Sequence, residues 1–380
     1  MMILIFVLCF SLLVYVFFGY PIVLWCLSLF LRKKPVTTDS LLTVSMIISA
    51  YNEQNVIADK LNNSLSLDYP SDKLEIIVAS ESTDQTNQIV RQFTSKRVVL
   101  YAFENRRGKA ATLFRTVPRA KGEIIVFSDA NAMYEPDAVR KLVRNFSDQR
   151  IGCVSGRLRY FNLNGSSTGS GEGFYWNYEM ALKKLESSIF SLLGANGSIF
   201  AIRKHLYSPM AYDRGDDFEL PIRVALNGFG VVLEPEAISR EKSCERPKEE
   251  FRRKVRIITW NMKSCLLLLR ECFLKKNALL FFQLVSHKLL RWLFPVFALG
   301  LLVSNVFLDG AFFRTLLLLQ MLFYLSGFAG YLLDVAGVKV PKSFLVPYYF
   351  CLVHLSALEG LRLLLVSGQK SVWEKVRVNG

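Results

Sequence analysis

Between residues 43 and 160 the chain alternates short apolar runs with polar segments of helical period. The runs, residues 43–49, 74–79, 97–101, 123–127 and 152–160, are rich in β-branched side chains. The helical patterns lie near 53–66, 83–94, 109–117 and 136–146. Such alternation predicts an α/β fold with a mainly parallel sheet covered on both faces. Sheets of this kind bind ligands at the carboxyl ends of their strands. At those ends the sequence turns polar four times: Ala50-Tyr51-Asn52-Glu53, then Ser82-Thr83-Asp84, then Arg106-Arg107-Gly108-Lys109, then Asp129-Ala130-Asn131. Each set has a local alternative. Glu53 suits a helix start, Thr83 and Asp84 suit a cap, Gly108-Lys109 suits a turn, and Asp129 with Asn131 suits a turn as well. No glycine stands five residues before Gly108, so this is not a phosphate loop. Four polar sets on one edge together point to a binding site.

The rest of the chain points to a membrane. Apolar residues make up 52% and the mean hydropathy is +0.28, yet 21% of residues are charged, which fits a polar domain carrying apolar spans. The net charge of +15 gathers beside those spans, at Arg32-Lys33-Lys34, Arg252-Arg253-Lys254, Lys275-Lys276, and Lys288 with Arg291. Membrane lipid, not nucleic acid, is the partner this implies. The seven cysteines show no CxxC spacing, and His205, His287 and His354 lie far apart, so neither a disulfide framework nor a zinc site is expected. No G-x-G-x-x-G follows a strand, which disfavours a dehydrogenase.

Residues 3–31 are long enough to span a bilayer and lack a signal-peptide pattern. The basic residues that follow place Met1 outside and residue 32 onward in the cytoplasm. Residues 162–173, "NLNGSSTGSGEG", read as a loop before a helix over 174–191. Residues 248–269 read as one or two amphipathic helices with a basic face. Spans are expected at 293–309 and 312–333. The stretch 344–366 carries His354, Glu359 and Arg362, which are costly in lipid, so an interfacial or re-entrant helix is expected there. Four units follow: 1–35, 36–246, 247–285 and 286–380.

Two later stretches carry further polar groups. "LLGANGSIFAIRKHL" holds Gly194, Asn196 and Gly197, a place where backbone bulk is low or simply a turn before a strand. "YDRGDDFEL" puts Asp216 and Asp217 at a helix start, where the dipole also favours acids.

The stretches "VSMIISAYNE", "LEIIVASESTDQT", "RRGKAATL" and "GEIIVFSDANAMYEPDAV" resemble the successive motifs of the membrane-bound family 2 glycosyltransferases, over about residues 40–260. The resemblance implies a GT-A fold and an inverting transfer from a nucleotide sugar, a UDP-sugar foremost, at the cytoplasmic face of the inner or plasma membrane. The acceptor would be a lipid-linked or growing saccharide, as in cell-surface polysaccharide synthesis with export partners. Ala50, Tyr51, Glu53, Ser82, Asp84 and Lys109 would bind the nucleotide. Asp129 and Asn131 occupy the place of the DxD-type motif and would hold Mg²⁺ or Mn²⁺. Gly194, Asn196 and Gly197 would meet the acceptor. Asp217 would be the base, with Asp216 beside it. The polymerising branch carries Q-x-x-R-W, where this chain has Arg253-Lys254-Val255-Arg256-Ile257. Arg256 would clamp the diphosphate or face lipid. "SHKLLRW", residues 286–292, reads as membrane-interface anchors. A polyprenyl-phosphate sugar synthase and an inactive binding subunit are the alternatives.

Overall fold

The computed structural model describes residues 1–39, 41–94, 97–161, 167–242 and 247–366. One eight-stranded sheet forms the centre. Its strands are β1 (Val44–Ala50), β2 (Leu74–Ser80), β3 (Val98–Ala102), β4 (Ile124–Asp129), β5 (Met133–Tyr134), β6 (Ile151–Phe161), β7 (Phe200–Arg203) and β8 (Gly230–Lys242), in the order β3-β2-β1-β4-β7-β6-β8-β5. The first four in that order run parallel, as β-branched runs separated by helices require. β7 runs antiparallel to both β4 and β6, while β6 and β8 pair in parallel. The sheet is therefore mixed. Ile47, Ile77, Ile125 and Phe127 build the core on one face, and Met46, Ile48, Ile76 and Val126 build it on the other.

Register places the site. Ala50 stands opposite Ser80, and Ser49 stands opposite Asp129, so β1, β2 and β4 end on one edge. Because β7 is antiparallel to β4, with Phe127 opposite Phe200, the residues just before Phe200 arrive at that same edge.

Some stretches differ from expectation. Of the Gly/Ser-rich stretch, residues 162–166 lie outside the described residues, and the rest starts a helix, Ser167–Ser188, earlier than expected. Anchoring of its later turns by ion pairs outweighs poor local propensity. The basic segment, expected as one or two helices, is one continuous helix, Pro247–Leu274. The "SHKLLRW" stretch, read as interface anchors, pairs with acids inside the chain. His287 is buried and Arg291 half-buried against Glu179 and Glu186, with His287 Nδ1 2.6 Å from Glu186 and Arg291 Nη1 2.6 Å from Glu179. Tyr20 of the first helix donates to Glu186 at 2.8 Å, and Glu186 also accepts from the Leu193 N–H.

Among the described residues, three helices are long and apolar enough to cross a membrane: Met2–Leu31, Ala311–Val335 and Lys342–Val366. The last was expected at the interface. It runs 25 residues, and its Glu359 and Arg362 neutralise each other at 2.7 Å near its end. Phe294–Val306, expected as a span, has only 13 residues, about 20 Å at 1.5 Å per residue. That is short of a bilayer core, and it passes only jointly with Ala278–Trp292, from which it bends by 57°.

Candidate active site

A cavity of about 490 Å³ opens at the carboxyl edge of the sheet. Its wall begins with Ala50, Tyr51 and Glu53 after β1. The Arg106 guanidinium stacks 3.7 Å from the Tyr51 ring. Asp129 and Asn131 enter from the end of β4. Asn196 and Gly197 enter from the segment before β7. Asp216 and Asp217 enter from the N-terminus of the helix Asp216–Leu226, and Arg256 from the basic helix. Acids from stretches nearly ninety residues apart thus face one space, which register alone explains for Asp129 and Asn196. The Ala195 N–H donates to the Asp217 carbonyl at 2.7 Å and so pins the second half of the site to the first.

Lys109 is the electrostatic centre. Its Nζ lies 3.0 Å from Asp129 Oδ1 and 3.1 Å from Asp216 Oδ2. Burial would lower its pKa, but the attraction of Asp129, Asp216 and Asp217 prevails and holds it raised. Asp217 is pushed up to about 6 by burial and by Asp216, against the pull of Lys109. A half-buried carboxylate of that basicity can accept a proton at neutral pH. Arg256 is pushed down to about 9 by burial and by Arg253, and stays protonated at pH 7.

Two glycines have a geometric reason. Gly194 adopts φ +89°, which disfavours any side chain. A Cβ at Gly197 would lie 3.0 Å from Asp217 Oδ2, crowding the carboxylate. Asn196 is tied down, with its amide nitrogen donating to the Gly156 carbonyl at 2.6 Å. Gly194 itself lies outside this cavity and lines an adjoining one.

Asp84 and Ser82 do not line the cavity. Asp84 accepts from the Thr86 N–H at 3.0 Å and the Thr86 hydroxyl at 2.5 Å. Ser82 accepts from the Asn52 N–H at 2.9 Å. Both hold the turn after β2, the local role open to Asp84 from the start. The acid that lines the cavity there is Glu81. It is buried, ion-paired to Arg115 at 2.6 Å, and accepts from the Gly108 N–H at 2.8 Å.

Other residues were missed. Arg253, Lys254, Trp260 and Asn261 line the cavity from the basic helix. Arg253 and Trp260 stand three and four residues from Arg256 and so share its face, a periodicity that could have found them, and Lys254 and Asn261, seven apart, flank that face. The indole Nε1 of Trp260 is buried with no hydrogen-bond partner among the described residues, a donor open to a ligand. Lys60 is fully buried behind the site, bonded to the Ala132 carbonyl and lying 4.1 Å from the Tyr134 ring centroid. Burial pushes it down to about 7, against Asp129 and Glu241.

The donor set suits a hard divalent ion only in part. Among the described residues no three acidic, histidine or cysteine side chains form a ligand group. One carboxylate and one amide, Asp129 and Asn131, leave most positions to a phosphate-bearing ligand, which is how Mg²⁺-type ions are commonly held.

The profile described as "Glycosyltransferase like family 2" matches residues 43–259. The chain belongs to glycosyltransferase family 2. The "Probable glycosyltransferase YdaM" of Bacillus subtilis (strain 168) is 30% identical over 285 residues, 70% of this chain and 67% of that one. The poly-beta-1,6-N-acetyl-D-glucosamine synthase of Staphylococcus aureus is 30% identical over 136 residues, 35% of this chain and 32% of its own length. Among solved structures, the mannosyltransferase PcManGT from Pyrobaculum calidifontis, in complex with GDP-Man and Mn2+, superposes with a TM-score of 0.71 at 20% identity, over 95% of this chain and 99% of that one. The fold is thus of the GT-A kind and the chain is a glycosyltransferase.

Proposed function

We propose that this glycosyltransferase moves a sugar, with inversion, from a nucleotide-diphosphate donor to a hydroxyl of a lipid-linked or growing saccharide. The catalytic domain would face the cytoplasm at the inner or plasma membrane. The observation that carries the reading is the meeting of Asp129 and Asp217 in one cavity, with Lys109 joining Asp129 to Asp216.

Each group then has a task. Tyr51, stacked on Arg106, and Glu53 offer a wall for the nucleoside. Lys109, Arg253 and Arg256 offset the charge of the diphosphate. Asp129 and Asn131 would hold Mg²⁺ or Mn²⁺, which when bound neutralises negative charge on the leaving diphosphate. Gly197 keeps the space beside Asp217 open, so an acceptor hydroxyl can reach it. Asp217 takes the hydroxyl proton as the acceptor oxygen bonds to the anomeric carbon. The bond from that carbon to the phosphate oxygen breaks, and the nucleoside diphosphate leaves. A UDP-sugar is the foremost donor, and the GDP-Man and Mn2+ of the Pyrobaculum enzyme make a GDP-sugar the second to test. The polymer named for the Staphylococcus enzyme supports a role in polysaccharide synthesis, where export would need further proteins.

The test is a donor screen on the purified chain in nanodiscs, reading release of UDP or GDP. Release from one nucleotide sugar is expected, abolished by chelator and restored by Mn2+. Nucleotide binding with no release from any UDP- or GDP-sugar would make the protein a binding subunit instead.

A further inference from the structure

Strands β4 and β7 part just short of the cavity. Their antiparallel ladder runs from Ile124 opposite Arg203 to Phe127 opposite Phe200 and ends there. Beyond it, β4 leads to Asp129 and Asn131, while β7 is reached from Asn196 and Gly197, so the fork separates the two halves of the site. The Tyr134 hydroxyl sits in this fork, 3.0 Å from the Phe127 carbonyl and 2.9 Å from the Ser198 carbonyl. Its one proton is shared between two carbonyls, one on each side. The side chain is 3% exposed and is set behind the cavity, outside its lining.

Tyr134 is itself held firmly. The Asn63 side chain, from the helix Ile57–Leu65, accepts from the Tyr134 N–H and donates to the Tyr134 carbonyl, both at 2.8 Å. Tyr134 also pairs with Ser239 of β8, and Lys60 lies against its ring. Burial raises the pKa of the hydroxyl, which therefore stays a donor. The turn at Asp129 is closed independently, by the Ala132 N–H on the Asp129 carbonyl and by Lys60 on the Ala132 carbonyl. Ser198 has a different neighbour, Gly197, which stands against Asp217 Oδ2. A drift of the Ser198 backbone would carry Gly197 onto that carboxylate or away from it.

We propose that Tyr134 is a positioning residue whose hydroxyl sets the gap between the Asp129 turn and the Gly197–Asp217 pair, and so the distance across which donor and acceptor meet. The proposal rests on the transferase reading of the cavity and adds the group that keeps its two halves in place.

Tyr134→Phe removes one oxygen and keeps the ring. In the full chain in nanodiscs, hydrogen–deuterium exchange over residues 194–203 should quicken at least about fivefold, and over residues 124–134 less than about twofold. With Mn2+ and the nucleotide sugar found by the donor screen, kcat for nucleotide release should fall at least about tenfold while the donor KM stays within about threefold. Tyr134→p-aminophenylalanine returns N–H donors to the fork and should bring both readouts back to within about threefold of the unmodified chain. Unchanged exchange over residues 194–203 would overturn the tie. Faster exchange with kcat within about twofold would make the hydroxyl a structural bond only and overturn the positioning role. If Tyr134→Phe does not fold, the amine variant decides, since retained kcat supports the role and a loss of about tenfold overturns it. If the unmodified chain releases nucleotide from no sugar, the transferase reading fails, and exchange still decides whether Tyr134 ties the two halves together.

Discussion

The turns after β2 and β4 begin alike and end differently. Each follows a buried parallel strand, and each carries an aspartate. In the turn after β2, the side chains of Asn52 and Asp84 accept from the Thr83 and Thr86 N–H groups, while Ser82 accepts from the Asn52 N–H of the neighbouring turn. Asp84 is consumed by local structure. In the turn after β4 the main chain closes itself, with the Ala132 N–H on the Asp129 carbonyl, and Lys60 holds the Ala132 carbonyl from behind. The Asp129 carboxylate is left to face the cavity and Lys109. An acid at the end of a strand becomes a site residue only when something else meets the hydrogen-bonding needs of its turn.

This contrast can be broken or sharpened by substitution. Asp217→Asn removes the proposed base that Asp129 faces across the cavity. It should lower kcat by roughly 10²–10⁴-fold while donor binding persists. An acid whose folded pKa lies above its unfolded value costs stability once pH passes the unfolded value. The same variant should therefore be no less stable at pH 7.5, and more stable by up to about 3 kcal/mol, in thermal unfolding. Retained transfer would indicate a phosphate acceptor that needs no base. Asp129→Ala should weaken Mn2+ activation by roughly 10–100-fold or more in a metal titration. On the unmodified enzyme, kcat/KM should fall about tenfold per pH unit as pH drops below about 6, where Asp217 gains its proton. Asp84→Ala should cost only about 0.5–2 kcal/mol of stability, like the loss of a helix cap, with the donor KM within about threefold. A collapse of donor affinity in Asp84→Ala would erase the distinction between the two turns.

The parallel half of the sheet was legible because its strands are short, β-branched and separated by helical periods. The strand ends then pointed to the right edge. β8 was not legible, because Gly230–Lys242 carries charged and small residues on a strand whose pairing with β6 is broken by register shifts. Asp129 and Asp217 could be named from their motifs, but Asp84 and Glu81 could not be told apart, since both follow the same strand and only tertiary hydrogen bonds separate them. The basic helix left two readings open, with Arg256 clamping a diphosphate or facing lipid, and tertiary contacts favour the first: Ser264 bonds Glu219 at 2.8 Å and Lys263 bonds Asp213 at 2.8 Å, turning that face inward onto the acid pair. Such pairs join residues about fifty apart, a distance that no local pattern encodes.

The bond from Tyr20 to Glu186 makes the first helix more than a tether. Trimming the chain to a water-soluble catalytic fragment would strip a partner from a buried carboxylate that steadies the backbone leading to Ala195. This apolar helix belongs to the foundations of the chemistry, and the active site and a segment long enough to cross a membrane are inherited together.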